Sequence, residues 1–129
     1  MRWQGGSNAG FLIGTAINPK VVATKTERSV LEKVSYAVAM AETKNCAEGY
    51  GKIYNNCFGI KNGNTAPCTK TGKNRMCIYE RPEDSYEAFK KIWGKWYGGG
   101  LPTREGAIKW TGGDRADTWL KNVNYYFNL

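Results

Sequence analysis

Few side chains in this chain can carry acid–base chemistry near neutral pH, because its sequence contains no histidine. Proton transfer then falls to carboxylates, tyrosine, lysine or cysteine. Glu42 has the most informative position among the carboxylates, near the end of a predicted helix. The apolar residues of that helix recur at helical spacing: Val30, Val34, Ala37, Val38 and Ala41. Glu42 lies at the margin of their face, where partial desolvation is expected to raise its pKa, as a general acid requires.

An Asn-rich motif, Asn-Asn-Cys-Phe-Gly-Ile-Lys, follows at residues 55–61. Asn tolerates unusual backbone angles and caps turns with its side chain, so Asn55 and Asn56 predict a turn, and a binding role can coexist with it. Trp110 and Tyr125 are aromatic side chains that could stack on a ligand, although packing is the favoured interpretation of both.

Composition indicates one globular domain with an anionic partner. The 129 residues are 41% hydrophobic and 13% aromatic, and 19 basic against 11 acidic residues give a net charge of +8. A basic surface favours nucleic acid, an acidic membrane surface or an anionic wall polymer. The apolar stretch at residues 11–17 is interrupted by Gly14 and is too short to span a bilayer, and the first residues do not resemble a signal peptide.

The four cysteines favour disulfides over a metal site. They contain no Cys-x-x-Cys pair, and no histidine can complete a mixed zinc site. Three pairings are possible, and we predict the sequential one, Cys46–Cys57 and Cys68–Cys77, because each bond closes a short segment around a predicted turn. Disulfides imply an oxidising compartment, whereas the alternative is four reduced, buried cysteines in a cytosolic protein.

The chain divides into an irregular arm at residues 1–20 and one folded domain at residues 21–129. A capping-box pattern, Thr-Lys-Thr-Glu, predicts that the first helix starts around Thr24. Later helices are predicted to begin near Pro82, after Thr103, and after a Gly-rich turn at residues 111–114.

Residues 58–79 carry Gly, Pro and two cysteines and predict a small β-hairpin lobe. This segment contains basic but no acidic residues. The predicted fold class is therefore α+β, a mainly helical domain with one small cationic β-lobe.

Several stretches together resemble the bacterial and phage glucosaminidase family of peptidoglycan hydrolases, which have a lysozyme-like fold. They are Ala41-Glu42-Thr43, the Asn-rich motif at 55–61, Tyr79, and Ser85-Tyr86-x-x-Phe89. The resemblance covers roughly residues 24–127, and the Asn-rich motif is its most specific part. It implies cleavage of a β-1,4-linked aminosugar backbone with Glu42 as the catalytic acid. It also implies that Asn56 and Phe58 line the junction between the lobes and that Tyr79 faces the cleft.

The sequence departs from that family at the second carboxylate, which members often carry in the β-lobe. The nearest candidates here are Glu48, before the lobe, and Glu80, at its exit. Without a second protein carboxylate, the acetamido group of the substrate or a sugar 6-hydroxyl would have to act as nucleophile. Tyr79 and Glu80 are the further catalytic candidates. The predicted substrate-binding residues are Asn55, Asn56, Phe58, Gly59, Trp110 and Tyr125.

The sequence therefore predicts a secreted, periplasmic or virion-associated glycoside hydrolase that acts on peptidoglycan as a monomer or as one domain of a larger envelope protein. We expect no metal, no organic cofactor, no nucleic acid and no membrane insertion. The alternatives are a lytic transglycosylase, a muramidase, and a non-catalytic glycan-binding or virion structural module. A nucleic-acid binder is the weakest reading, since the basic residues are spread along the chain without a recognised motif.

Overall fold

The computed structural model describes residues 29–129. The predicted arm at residues 1–20 and the predicted helix start at Thr24 lie outside this range. The described part is mainly helical, as the sequence predicted, and its helices are α1 (Val30–Thr43), α2 (Gly49–Tyr54), α3 (Pro82–Trp96), α4 (Arg104–Thr111) and α5 (Ala116–Phe127). None of the helices within residues 29–129 is long and apolar enough to cross a membrane.

Helix α1 is the central element and carries Glu42 in its last turn. Its N-cap is Ser29, whose Oγ accepts a hydrogen bond from the Glu32 backbone N–H at 3.1 Å. The helix ends where Lys44 takes a left-handed conformation. Val34 and Val38 are fully buried on the apolar face, and α1 packs against α2, α3 and α5.

The predicted starts of the later helices are confirmed. Pro82 occupies the first turn of α3. Backbone N–H groups in this turn form no intrahelical hydrogen bond, so the absence of an N–H in proline costs nothing there. Thr103 caps α4, since its hydroxyl accepts a hydrogen bond from the Gly106 N–H at 3.0 Å. Helix α4 then ends at Gly112, which has the positive φ that glycine adopts without strain.

The predicted β-hairpin lobe is wrong. Residues 58–79 form an irregular segment in which strand pairing is limited to isolated antiparallel bridges, Lys61 with Met76 and Thr71 with Cys77 among them. Asn74 and Arg75 take positive φ values, which interrupt an extended strand. The segment also lacks the alternating apolar pattern that would bury one face of a hairpin.

Disulfide bonds and side-chain hydrogen bonds, instead of a β-sheet hydrogen-bond ladder, stabilise this segment. Both predicted disulfides are present, Cys46–Cys57 and Cys68–Cys77. The first joins the loop after α1 to the chain just before the segment, and the second closes the segment on itself. The segment is therefore tied to the end of α1, where Glu42 lies.

Candidate active site

The end of α1 is fixed against the Asn-rich motif by a compact junction. The buried Thr43 hydroxyl donates to the Cys57 carbonyl at 2.8 Å and accepts from the Cys46 N–H at 2.9 Å. Gly51 of α2 lies so close that a Cβ there would come within 2.5 Å of the Cys46 Cα. The junction therefore requires glycine at this position, and it holds the end of α1, which carries Glu42, against the Asn-rich motif.

The Glu42 carboxylate is held by two tryptophans from different helices. The indole Nε1 groups of Trp110 and Trp119 each donate to Glu42 Oε2 at 2.9 Å. No other side chain of residues 29–129 donates to this carboxylate. Because both donors occupy Oε2, a proton on the carboxyl group resides on Oε1.

Burial raises the pKa of the Glu42 carboxyl above its ordinary value of 4.5. The indole hydrogen bonds from Trp119 and Trp110 and the positive charge of Arg115 lower this pKa and oppose part of the effect, but burial dominates. This result agrees with the sequence-based expectation for a general acid.

Glu42 Oε1 lies beside Gly59. A Cβ added at Gly59 would stand 3.7 Å from Oε1, so a side chain would cover this oxygen, and the φ of +70° at Gly59 disfavours any other residue. Gly59 and Trp110 both line a cleft of about 230 Å³. We call it the first cleft, and the remaining residues around it are Ile60, Lys61, Thr65, Ala66, Ile92, Tyr97 and Lys109.

An aromatic cluster holds the two donors in position. The rings of Trp110 and Trp119 stack with their centroids 6.2 Å apart, and Trp119 is only 5% exposed. Trp110 also makes edge contacts with Phe89, Trp93 and Tyr97. Neither indole can leave Glu42 without repacking this cluster, so the carboxyl group is preorganised.

Asn55 and Asn56 have hydrogen bonds that account for their place in the motif. The Asn56 amide, fully buried, donates to the Ile60 and Cys77 carbonyls at 2.9 and 3.0 Å, and its Oδ1 accepts from the Ile60 N–H. Asn55 ends α2 with positive φ and donates to the Tyr79 and Glu80 carbonyls. Their side chains thus fasten the 58–79 segment.

Two of the other predicted binding residues lie away from the first cleft. Phe58 is fully buried, and its ring stacks on Phe89 with the centroids 4.4 Å apart. Tyr125 is 62% exposed on α5, packs edge-on against Tyr126, and does not line the first cleft.

Tyr79 lines a second, larger cleft of about 560 Å³, which we call the second cleft. Burial raises the pKa of the Tyr79 phenol to about 12, so its hydroxyl stays protonated at neutral pH. Glu80 is exposed and lines neither cleft. Of the predicted site residues, the structure therefore brings Glu42, Gly59 and Trp110 together and places the rest elsewhere.

The described residues that line the first cleft include cations and no carboxylate, and Glu42 itself is not among them: it adjoins the cleft through its contacts with Gly59 and Trp110. Lys61 and Lys109 supply the positive charges. The Lys109 ammonium donates to the Trp96 carbonyl and lies 4.7 Å from the centroid of the Tyr97 ring, which fixes its position at the rim. Within residues 29–129, no group of three or more His, Cys, Asp or Glu side chains could hold a metal ion.

Sequence reasoning missed the role of Trp119, and for Trp110 it favoured packing, with ligand stacking as the further role, without predicting a hydrogen bond to Glu42. One signal was available, because a buried indole N–H needs an acceptor and a carboxylate on an apolar helix face needs donors. A buried indole N–H and a buried carboxylate can satisfy each other, which predicts a Trp–Glu hydrogen bond. The sequence does not indicate which tryptophan forms it.

The chain matches no protein-family model, no curated protein and no solved structure.

Proposed function

We propose that the protein is a lysozyme-like peptidoglycan hydrolase that cleaves the β-1,4 glycan backbone, of the N-acetylglucosaminidase type, with Glu42 as its general acid. The observation that carries this proposal is the Glu42 carboxyl group, which is desolvated, oriented by two indole donors on Oε2, and free of protein donors within residues 29–129 on Oε1. Such a group keeps its proton to a higher pH than a solvated glutamate does, and it can deliver that proton to an oxygen at the edge of the first cleft, beside Gly59 and Trp110.

The chemistry follows from that arrangement. Protonated Oε1 donates to the glycosidic oxygen while an oxocarbenium-like centre develops at the anomeric carbon and the bond to the leaving sugar breaks. The two indoles keep their hydrogen bonds to Oε2 throughout, so the carboxylate that forms is already solvated by fixed donors. Gly59 leaves the approach to Oε1 open.

No described residue that lines the first cleft is acidic, so in this proposal the nucleophile comes from the substrate. The acetamido oxygen of the substrate is one candidate, and its attack followed by water leaves a reducing end. A sugar 6-hydroxyl is the other, and its attack leaves a 1,6-anhydro end, as in a lytic transglycosylase. The specific observation that keeps this second activity as an alternative is that the described residues lining the first cleft include no carboxylate.

The surroundings support a wall polymer as substrate. Lys61 and Lys109 at the first cleft, together with a net charge of +8, suit a polymer that carries carboxylates. Two disulfides suit an oxidising location, which is where peptidoglycan is found. The proposed location is therefore the cell envelope, the extracellular space or a virion.

The test is digestion of purified peptidoglycan by the wild type, Glu42→Gln and Glu32→Gln, with mass spectrometry of the soluble fragments. Glu32 is an exposed residue of the same helix, so its variant matches the change in charge. We expect fragments from the wild type and Glu32→Gln and none from Glu42→Gln. The hydrolytic and anhydro products differ by one water, which decides between the two activities.

Two outcomes would count against the proposal. Full activity of Glu42→Gln would remove Glu42 from the mechanism. Wall binding without soluble fragments from the wild type, across several wall types, would favour a non-catalytic glycan-binding module. A Glu80→Gln arm in the same assay asks whether Glu80 takes part despite its exposed position.

A further inference from the structure

The second cleft adjoins the first. Thr65, Ala66 and Ile92 line both, so a ligand in the first cleft can extend a branch into the second without leaving the protein surface. Its volume of about 560 Å³ is in the range of sites that hold drug-sized ligands. A single sugar ring would leave much of this space unfilled.

The lining of the second cleft carries charges of both signs on α3. Asp84 and Glu87 lie in its first turns and Lys91 and Lys95 in its later ones. The Asp84 carboxylate pairs with Arg81 at 3.3 Å and the Glu87 carboxylate with the Lys90 ammonium at 3.7 Å. The carboxylates of both pairs are solvent-exposed, so a ligand can exchange these contacts at little cost. The Lys91 ammonium has no carboxylate partner among the described residues. Apolar side chains separate these charges, namely Ala88, Ile92 and Trp96.

Tyr79 adds an unpaired hydroxyl to this cleft. Its phenol is partly buried, yet no hydrogen bond from or to the hydroxyl is formed within residues 29–129. A partly buried hydroxyl at a cleft, with no partner among these residues, is free to donate to a ligand. A ligand carbonyl in the cleft would supply the missing acceptor.

We propose that the second cleft binds the peptide stem of peptidoglycan while the glycan lies in the first cleft, against Gly59 and Trp110, which contact Glu42. A peptide stem presents carboxylates, amide carbonyls and an amine along one short chain, and these match the lysines, the Tyr79 hydroxyl and the carboxylates of α3. A neutral glycan carries no charge that could pair with the lysines or with the carboxylates of α3. This inference rests on the proposed function, because only a glycan in the first cleft delivers the stem to the second.

Direct binding tests the cleft independently of catalysis. The probe is the free stem peptide, purified from the wall after removal of the glycan, titrated at low salt into the wild type, Lys91→Gln and Tyr79→Phe. The matched controls are Lys121→Gln, on α5, and Tyr50→Phe, on α2, which line neither cleft. We expect each cleft variant to bind roughly three- to tenfold more weakly, and each control to bind like the wild type.

Cleavage supplies the second readout. The wild type should cut stem-bearing glycan with a higher kcat/KM than the same glycan stripped of its peptides, and Lys91→Gln should reduce that preference without slowing cleavage of the stripped glycan. Because Lys91 is exposed, its variant should fold even if Tyr79→Phe does not.

Absence of peptide binding to the wild type at millimolar peptide would overturn the inference. Equal binding by the two cleft variants and the controls would overturn it as well. If the protein binds the stem peptide at this cleft but releases no glycan fragments, the hydrolase proposal fails and the assignment of the cleft stands.

Discussion

Replacement of Glu42 by Gln should stabilise the folded protein at neutral pH while it abolishes activity. Burial raises the pKa of the Glu42 carboxyl in the folded state above the ordinary value of 4.5 that it regains on unfolding. The folded state then binds more protons than the unfolded state between these two pKa values. The contribution of the protonated carboxyl to stability is complete below about pH 4.5 and is lost as the pH rises through the folded pKa.

The size of this effect depends on a balance of terms visible in the structure. Desolvation opposes the carboxylate, whereas Trp119, Trp110 and Arg115 favour it and reduce the net cost. Each pH unit by which the folded pKa exceeds the unfolded one corresponds to about 1.4 kcal/mol at high pH. Gln cannot ionise, and its amide oxygen can still accept from both indoles. We expect Glu42→Gln to have the higher Tm at neutral pH, by roughly 4 °C for each 1 kcal/mol gained in a chain of 129 residues.

The assay is thermal unfolding followed by circular dichroism for the wild type, Glu42→Gln and Glu80→Gln across a series of pH values. The difference between Glu42→Gln and the wild type should be small in acid and should grow to a plateau as the pH rises. Glu80 is exposed, so Glu80→Gln should follow the wild type. A variant that is less stable than the wild type at neutral pH, or a difference independent of pH, would refute the reasoning that burial dominates at Glu42.

Two further substitutions test the contacts around the site. Trp119→Phe removes one of the two N–H donors that lower the pKa of Glu42, so this pKa should rise. In the peptidoglycan digestion assay, the alkaline limb of the pH profile of kcat should then move to higher pH. A shift of that limb to lower pH would contradict the role of Glu42 as the acid. Asn56→Asp replaces the amide donor between the Ile60 and Cys77 carbonyls with an acceptor and should cost about 3 kcal/mol in urea unfolding. Asn64→Asp, at an exposed position, is its control, and equal stability of the two variants would show that the buried amide does not hold the 58–79 segment.

The helices were predictable because local signals agreed with tertiary packing. In α1 the spacing of Val34 and Val38 defined the buried face, and in α3 and α4 Pro82 and Thr103 marked the starts. These signals act within a few residues along the chain. The margin position of Glu42 follows from the same periodicity, and this is why its partial burial could be predicted before its partners were known.

The 58–79 segment was not predictable in the same way. Gly72 and Pro67 are typical of turns both in a hairpin and in an irregular loop. In the structure, Asn74 and Arg75 have positive φ values, which are incompatible with a regular hairpin strand. What determines its shape is a long-range contact, the buried Asn56 amide between the Ile60 and Cys77 carbonyls. A propensity argument cannot predict such a contact, because it arises only after the chain has closed on itself.

The contacts of Glu42 show the same limit at the candidate site. Its donors, Trp110 and Trp119, lie 68 and 77 residues away along the chain, on two helices whose relative placement sequence periodicity does not define. The sequence could indicate that each group needs a partner, but only the packing of α4 and α5 beside α1 selects the pair.

The choice of partner also determines what Glu42 can do. A lysine or arginine in direct contact with Oε2 would favour the charged carboxylate strongly and lower its pKa, which would leave no proton to donate near neutral pH. Indole N–H groups are neutral donors, so they stabilise the ionised carboxylate less than a cation would and lower its pKa less. Burial therefore remains the largest effect on the pKa of Glu42. The positive charge of Arg115 acts on Glu42 only as the smallest of the opposing effects. Two tryptophans therefore provide the orientation that an ion pair would give while they leave the carboxyl group able to act as an acid.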